Sequence, residues 1–279
     1  MRRKRILTLG NVFKGVGVAI IAFLAVFPLY WMINVSLLPE SEVVKTNPHV
    51  YPPPSVATLN SYREIFSKYR VSRYMANSIF IIGMASLVTL FLSFGVAYSL
   101  AKYRFRWKSL FLYLIIWFTA LPWIVYVLPI FNIANALRLL DTHILMIMLY
   151  GFSGIPLFSW FALPYILDFP DELIDAARLD GCSEWGIVIR VVMPALRNVL
   201  LALFILRFVW AYNDLLYSLS FTFHRAKMIM PAILEFPGYL DIPFAKMAAG
   251  GFIAVAPILV IVIVFQKYVI SGLVGRTFK

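Results

Sequence analysis

Four side chains within one apolar run are of types that do polar work where water is scarce. Arg207, Trp210, Asn213 and Asp214 all fall in the stretch 199–221. Arg207 and Asp214 are seven residues apart, two helical turns along one face, so a third group could bridge them. Charged groups at such depth are costly and usually face a protein interior, a partner or water. An aromatic ring beside an amide and a carboxylate suits a polyhydroxylated solute, whose ring faces stack while its hydroxyls hydrogen-bond. A structural contact with a neighbouring subunit would use the same residues equally well. Trp210, Asn213 and Asp214 are therefore candidates for solute contact, and their types leave both roles open.

Other chemistries find little support. His49, His143 and His224 lie far apart with no Cys or second His at ligand spacing, so no metal site is expected. Cys182 is the only cysteine, which excludes an intramolecular disulfide. No Ser/His/Asp set or pair of acids stands at a spacing suited to catalysis. The phosphate cradle G-x-x-x-x-G-K-[ST] is absent, so no nucleotide site is expected on this chain.

The elements that must position these residues are read from composition. Of 279 residues, 62% are apolar and 14% charged, with a mean hydropathy of +0.86. A soluble domain carries about 45–50% apolar residues, so the excess must face something other than water. Six runs reach the roughly 20 residues that a helix needs to cross hydrocarbon. They are about Val12–Leu38, Met75–Ala101, Leu110–Leu137, Ile144–Leu167, Val199–Phe221 and Ala248–Tyr268. The runs are too continuously apolar for barrel strands, so an all-α protein of six transmembrane helices in a single membrane domain over 1–279 is expected. Pro122, Pro129, Pro156 and Pro164 free backbone groups in the third and fourth runs, which suggests kinks around a cavity or simple packing kinks. The first run follows Arg2, Arg3, Lys4 and Arg5, yet it exceeds the 7–15 residues, roughly, of a signal-peptide core and lacks an A-x-A-like site. It reads as a retained anchor.

The net charge of +12 would raise nucleic acid as a partner in a soluble protein. Here the basic residues sit at the edges of apolar runs, as beside anionic lipid headgroups, and no nucleic-acid partner is expected. With the N-terminus inside, fifteen Lys and Arg fall on inner segments and nine on outer ones. The short loop with Lys102, Arg104, Arg106 and Lys108 is the sharpest signal, since short loops obey the positive-inside rule best. Both termini are then cytoplasmic. Two outer segments, Pro39–Tyr74 with Pro48 and Pro52–Pro54, and Thr222–Met247 with Pro231, Pro237, Gly238 and Pro243, are long enough to be docking surfaces or plain connectors.

The inner loop 168–198 is the most structured by local signals. Pro170 suits the first helical position, and Asp171 and Glu172 suit the positive end of a helix dipole. Leu173, Ile174, Ala177 and Leu179 can form an apolar stripe, with Ala176 and Ala177 keeping the helix thin enough for another protein to approach. Gly181 is a C-terminal stop, and Ser183 caps a second short helix that ends before Pro194. By spacing alone, an interfacial connector explains the loop as well.

This loop resembles the EAA loop of permease subunits in binding-protein-dependent ABC importers. The family pattern stands here as Asp175-Ala176-Ala177, then Asp180-Gly181, then Val191 through Pro194, with Asp175 in place of the usual glutamate and Cys182 in place of alanine. Val188 stands where the family often has phenylalanine. The likeness runs through Phe27-Pro28 to Ser36, Asn77-Ser78, Trp210, Asn213-Asp214, Gln266-Lys267-Tyr268, Gly272, Gly275 and Lys279. It is similar to the carbohydrate-uptake branch, and to its maltose-type second permease in particular. The resemblance implies a type I ABC importer permease fold in the cytoplasmic membrane and a small solute, a sugar or oligosaccharide, delivered by an external solute-binding protein. It implies a second permease of a different chain and two ATP-binding subunits that hold ATP and Mg²⁺, with no cofactor on this chain. By that resemblance Asp175, Ala176, Ala177, Asp180, Gly181 and Pro194 would couple to the ATPase; it transfers no solute-binding residues, and Trp210, Asn213 and Asp214 stand as substrate-pathway candidates on their residue types alone. An importer permease for a non-sugar solute is one alternative; a secondary transporter or channel is the rival class, but internal repeats of the kind such proteins carry are not evident and the loop would be unexplained.

Overall fold

Backbone groups in apolar surroundings must bond within their own segment, and every regular element among the described residues is helical. The computed structural model describes residues 9–45, 49–236 and 243–274. Arg2, Arg3, Lys4, Arg5, Pro48, Pro237, Gly238, Gly275 and Lys279 lie outside the described residues. The chain forms two compact units, 1–71 with 233–255, and 72–232 with 256–279.

In the first unit α1 (Leu9–Ser36) runs through Pro28 and ends in two buried polar residues. Asn34 donates to the His49 carbonyl at 2.7 Å, and the Ser36 and Tyr62 hydroxyls share a bond of 2.7 Å. Glu40, in α2 (Glu40–Val43), accepts from the backbone N–H groups of Ala245 and Lys246 at 2.9 and 3.3 Å. Those donors open a helix and lack partners within it. Glu64, in α3 (Asn60–Lys68), pairs with Lys246 at 2.6 Å. The segment expected as an outer loop thus carries two short helices, with Pro52 and Pro53 outside both.

In the second unit α4 (Val71–Lys102) is unbroken over 32 residues. The third run divides into α5 (Lys108–Ala120) and α6 (Ile124–Ala136), which meet at 93°. Leu121 stands before Pro122 and is extended, as the proline ring requires of its neighbour. The fourth run divides into α7 (His143–Ser153) and α8 (Ile155–Leu167), bent by 46° at Gly154. Pro122 and Pro156 stand at these breaks, whereas Pro129 and Pro164 lie inside continuous helices. After α9 (Asp171–Leu179) comes α10 (Glu184–Ile187), a π-helical stretch Val188–Val192 and α11 (Met193–Ala195). α12 (Arg197–Tyr212) stops at Asn213, so the fifth run is not one helix; α13 (Leu216–Phe221) and α14 (Ile229–Ile233) follow. α15 (Phe244–Val274) starts earlier than the sixth run suggests.

Among the described residues three helices are long and apolar enough to cross a membrane, with up to six crossings if each bent pair is one span. Most of α1 is exposed along its apolar length, from Phe13 to Phe27, a surface suited to lipid or to another subunit. The core of the second unit joins α4, α8, α9, α10 and α12 through Phe94, Tyr98, Ile166, Ile174, Ile187 and Val199.

Candidate functional site

The loop 168–198 is built by local signals. α9 begins after Pro170, with Asp171 and Glu172 in its first turn. At its other end the Cys182 N–H reaches the Ala177 carbonyl and the Gly181 N–H that of Arg178, both at 3.0 Å. That pair is a Schellman motif, and Gly181 holds its left-handed position at φ +80°. Ser183 then caps α10 by accepting from the Gly186 N–H at 3.2 Å. Glu184–Ala195 meets α12 at 88°, so it lies across the axis of α12.

The expected stripe divides between two faces. Ile174 and Ala177 are buried, while Leu173, Ala176 and Leu179 are exposed, Leu179 at 89%. Ala177 therefore packs against its own chain, and Ala176 is the alanine that keeps the outward face low. Ile174 and Ala177 enter the core shared with α4, α8 and α12, so a force on α9 is passed to those helices through close packing. Lys102, at the end of α4, donates to the Phe169 carbonyl at 2.8 Å and pairs with Asp171 at 2.6 Å. Arg178 pairs with Asp175 at 3.0 Å and with Glu184 at 2.9 Å. The bond from Arg178 is the main reason the Glu184 carboxyl is pulled down to about 2, against a smaller opposing effect of burial. Trp185 stacks on Phe91 at 5.7 Å and lies over Gly95, where a Cβ would stand 2.7 Å from its ring. Pro194 is exposed within α11, just before Leu196 turns the chain into α12.

A second site lies at the break between α7 and α8. Arg207 is 1% exposed, and its guanidinium enters the break. Nη2 donates to the Tyr150 carbonyl and, at 3.2 Å, to the Ser153 hydroxyl; Nε donates to Thr89 Oγ1 at 3.2 Å. Thr89 donates to the Gly151 carbonyl at 2.7 Å, and Ser93 to that of Ile155 at 3.3 Å. The Tyr150 and Gly151 carbonyls, left over where α7 stops, are thus taken by neighbouring helices. Arg207 and Asp214 are bridged by Tyr150, whose carbonyl meets the arginine and whose hydroxyl donates to Asp214 at 2.7 Å.

Of the three solute-contact candidates, Trp210 and Asn213 are exposed at the end of α12 and Asp214 is half-buried. Asp214 accepts from Tyr150 and, at 3.0 Å, from the Tyr217 N–H; Asn213 is exposed and bonds back to Val209 at 2.8 Å; Trp210 is half exposed and forms a T-shaped ring pair with Phe158. None of them lines the cavity of about 410 Å³ formed by α6, α7, Tyr217 and Trp123, where Trp123 stacks on Tyr217 at 5.4 Å. The Tyr126 hydroxyl at this cavity has no partner among the described residues. Sequence spacing did not single out Trp123, Tyr126 or Tyr217, because a bend of 93° and the stop after α12 bring them together.

A third cluster orders the segment after α13. Asp141, at φ +57°, accepts from the backbone N–H groups of Phe223, His224, Arg225 and Ala226 at 2.7 to 3.2 Å. Burial works to raise its pKa, but these four donors together hold it below the ordinary value. Asn77 donates to the Arg225 and Lys227 carbonyls at 3.1 and 2.9 Å, His143 bonds Asn77 at 3.0 Å, and Ser78 accepts from the Ile229 N–H at 2.8 Å. Among the described residues no three His, Cys, Asp or Glu gather as metal ligands.

Residues 89–274 match the family of binding-protein-dependent transport system inner membrane components. The chain is 31% identical over 263 residues to the arabinooligosaccharides transport system permease protein AraQ of Halalkalibacterium halodurans, covering 92% of both. It is 32% identical over 258 residues to the trehalose transport system permease protein SugB of Mycobacterium tuberculosis, covering 91% of this chain and 93% of that one. In fold it is similar to a chain in the crystal structure of a bacterial ABC transporter involved in the import of the acidic polysaccharide alginate, with a TM-score of 0.77 at 20% identity over 96% and 99% of the two chains. With the family matched over two thirds of its length and permeases matched along nearly all of it, this multi-pass membrane protein belongs to the binding-protein-dependent transport system inner membrane component family.

Proposed function

We propose that this chain is the permease subunit of an ATP-driven importer for a sugar or oligosaccharide, one membrane domain of six spans over 1–279 in the cytoplasmic membrane. Both termini face the cytoplasm, as the basic residues at Lys102–Lys108 favour. The observation that carries the reading is the two-faced helix α9: its outward face is exposed and ends at Gly181, while Ile174 and Ala177 are built into the core of α4, α8 and α12. Asp175, Ala176, Asp180 and Gly181 seat α9 on one of two separate ATP-binding subunits, which hold ATP and Mg²⁺. Ala177 and Pro194 hold the seat against the spans, Ala177 from within the core and Pro194 from α11, directly before α12.

When those subunits close on ATP, they displace α9 and tilt the helices packed on it, opening the site alternately to each side. A second permease of a different chain completes the path, and an external binding protein delivers the solute. The names of the relatives, for arabinooligosaccharides and trehalose, support a carbohydrate. Trp210 and Asn213 offer exposed groups to the solute path; Asp214, whose carboxylate is engaged by Tyr150 and Tyr217, orders its wall.

The test is co-purification with an ATPase subunit, followed by ATP hydrolysis in liposomes with a panel of oligosaccharides and the binding protein. Hydrolysis stimulated by one of them, with uptake, is expected. Uptake driven by an ion gradient, with α9 crosslinking to no nucleotide-hydrolysing protein, would overturn the reading in favour of a secondary transporter.

A further inference from the structure

The soft point of the second unit is the junction at Gly154. α7 and α8 are bent by 46° there, and Pro156 has no N–H with which to continue the helical ladder across the break. Backbone alone would leave α8 free to swing without moving α7. The junction is closed instead from the side, by the Arg207 guanidinium on Tyr150 and Ser153 and by Thr89 between Arg207 and Gly151. Space there is filled: a Cβ on Gly154 would stand 2.6 Å from Arg207 Nε and 2.7 Å from Thr89 Cγ2. The Phe158 ring lies 5.8 Å from the guanidinium carbon, which adds a cation–π contact. A fully buried arginine is costly unless its donors are met, and the carboxylate nearest in the network, Asp214, reaches it only through Tyr150.

We propose that Arg207 is a positioning residue for transport, a pin that makes α7 move with α12. α8, the loop 168–198 and α12 share one core and form a lever whose inner end is α9. Through Arg207 the lever reaches Tyr150 and Ser153, and so the α7 wall of the cavity, where Leu145, Met148 and Phe152 stand. Displacement of the loop is thereby carried to the cavity. This inference rests on the proposed seating of α9 on an ATPase subunit.

The experiment uses the assembled complex with its ATPase subunits in liposomes, and maleimide labelling with and without ATP plus vanadate. Two reporters are read: the native Cys182 in the loop, and Met148→Cys in a Cys182→Ser background. With Arg207 present, both labelling rates should respond to nucleotide. In Arg207→Met the Cys182 response should persist while the Met148→Cys response falls about tenfold, the scale of one lost charge-assisted hydrogen bond. Arg207→Lys, which keeps the charge and loses the fork, should restore part of it. Thr89→Val is read in the same way, so a failure of Arg207→Met to assemble still leaves the tie measurable. An unchanged Met148→Cys response in both Arg207→Met and Thr89→Val overturns the pin. Absence of any nucleotide response at Cys182 with Arg207 intact overturns the seating of α9, and the pin with it.

Discussion

Gly181 stands at φ +80° with no atom within 4 Å of where a Cβ would be, so a side chain there meets backbone strain but no wall. Alanine in that conformation costs about 1 kcal/mol, a change of roughly fivefold in the population of the native loop turn. Asparagine and aspartate enter the left-handed region more readily, so Gly181→Asn and Gly181→Asp should leave the turn nearly as populated as glycine does. If the glycine serves only its own chain, Asn restores uptake and Ala lowers it up to about fivefold. If α9 seats in a partner, the added side chain itself is the obstacle. Uptake should then fall in all three and be lost in Asp, whose charge must also be desolvated. The assay is ATP-dependent uptake in liposomes, normalised to the amount of permease inserted and to the ATPase subunit recovered with it. Normal ATP-coupled uptake by Gly181→Asp would refute the seating of this helix.

Two further outcomes follow from the polar clusters. The Glu184 carboxyl is held down to about 2 by Arg178, and a depressed acid contributes stability above its unfolded pKa that is lost as pH falls through the folded one. Hydrogen exchange of residues 171–187 should therefore be flat from about pH 5 to 8 after correction for the intrinsic rate, and protection should weaken only below about pH 4. Asp141→Asn keeps a residue that tolerates φ +57° but removes one of the acceptor oxygens that gather four N–H groups. A cost of about 2 kcal/mol, or roughly 30-fold in local opening, should appear as faster tryptic cleavage after Arg225 in the detergent-solubilised protein.

What the sequence determined by itself is whatever depends on neighbours along the chain. Long apolar runs dictated membrane helices, because lipid leaves backbone groups no other partners. The stop at Gly181 and the cap at Ser183 were legible because both act within a few residues, and both stand where local chemistry places them. Only the tertiary structure decided which face of α9 turns inward, since Ile174 and Leu173 are equally apolar and the packing of α4 and α8 chooses between them. Pro122 and Pro129 carry the same missing N–H, yet only Pro122 breaks its helix, with an extended Leu121 before it. The use of Arg207 was hidden for the same reason. Its seven-residue spacing from Asp214 anticipated a bridging group, but that group is Tyr150, 57 residues away in sequence. Asp141 likewise looks like any loop aspartate until the chain returns at Phe223–Ala226 with four N–H groups to satisfy. Local bonds are written in adjacent residues; buried charges and broken helices find their partners only when distant segments pack.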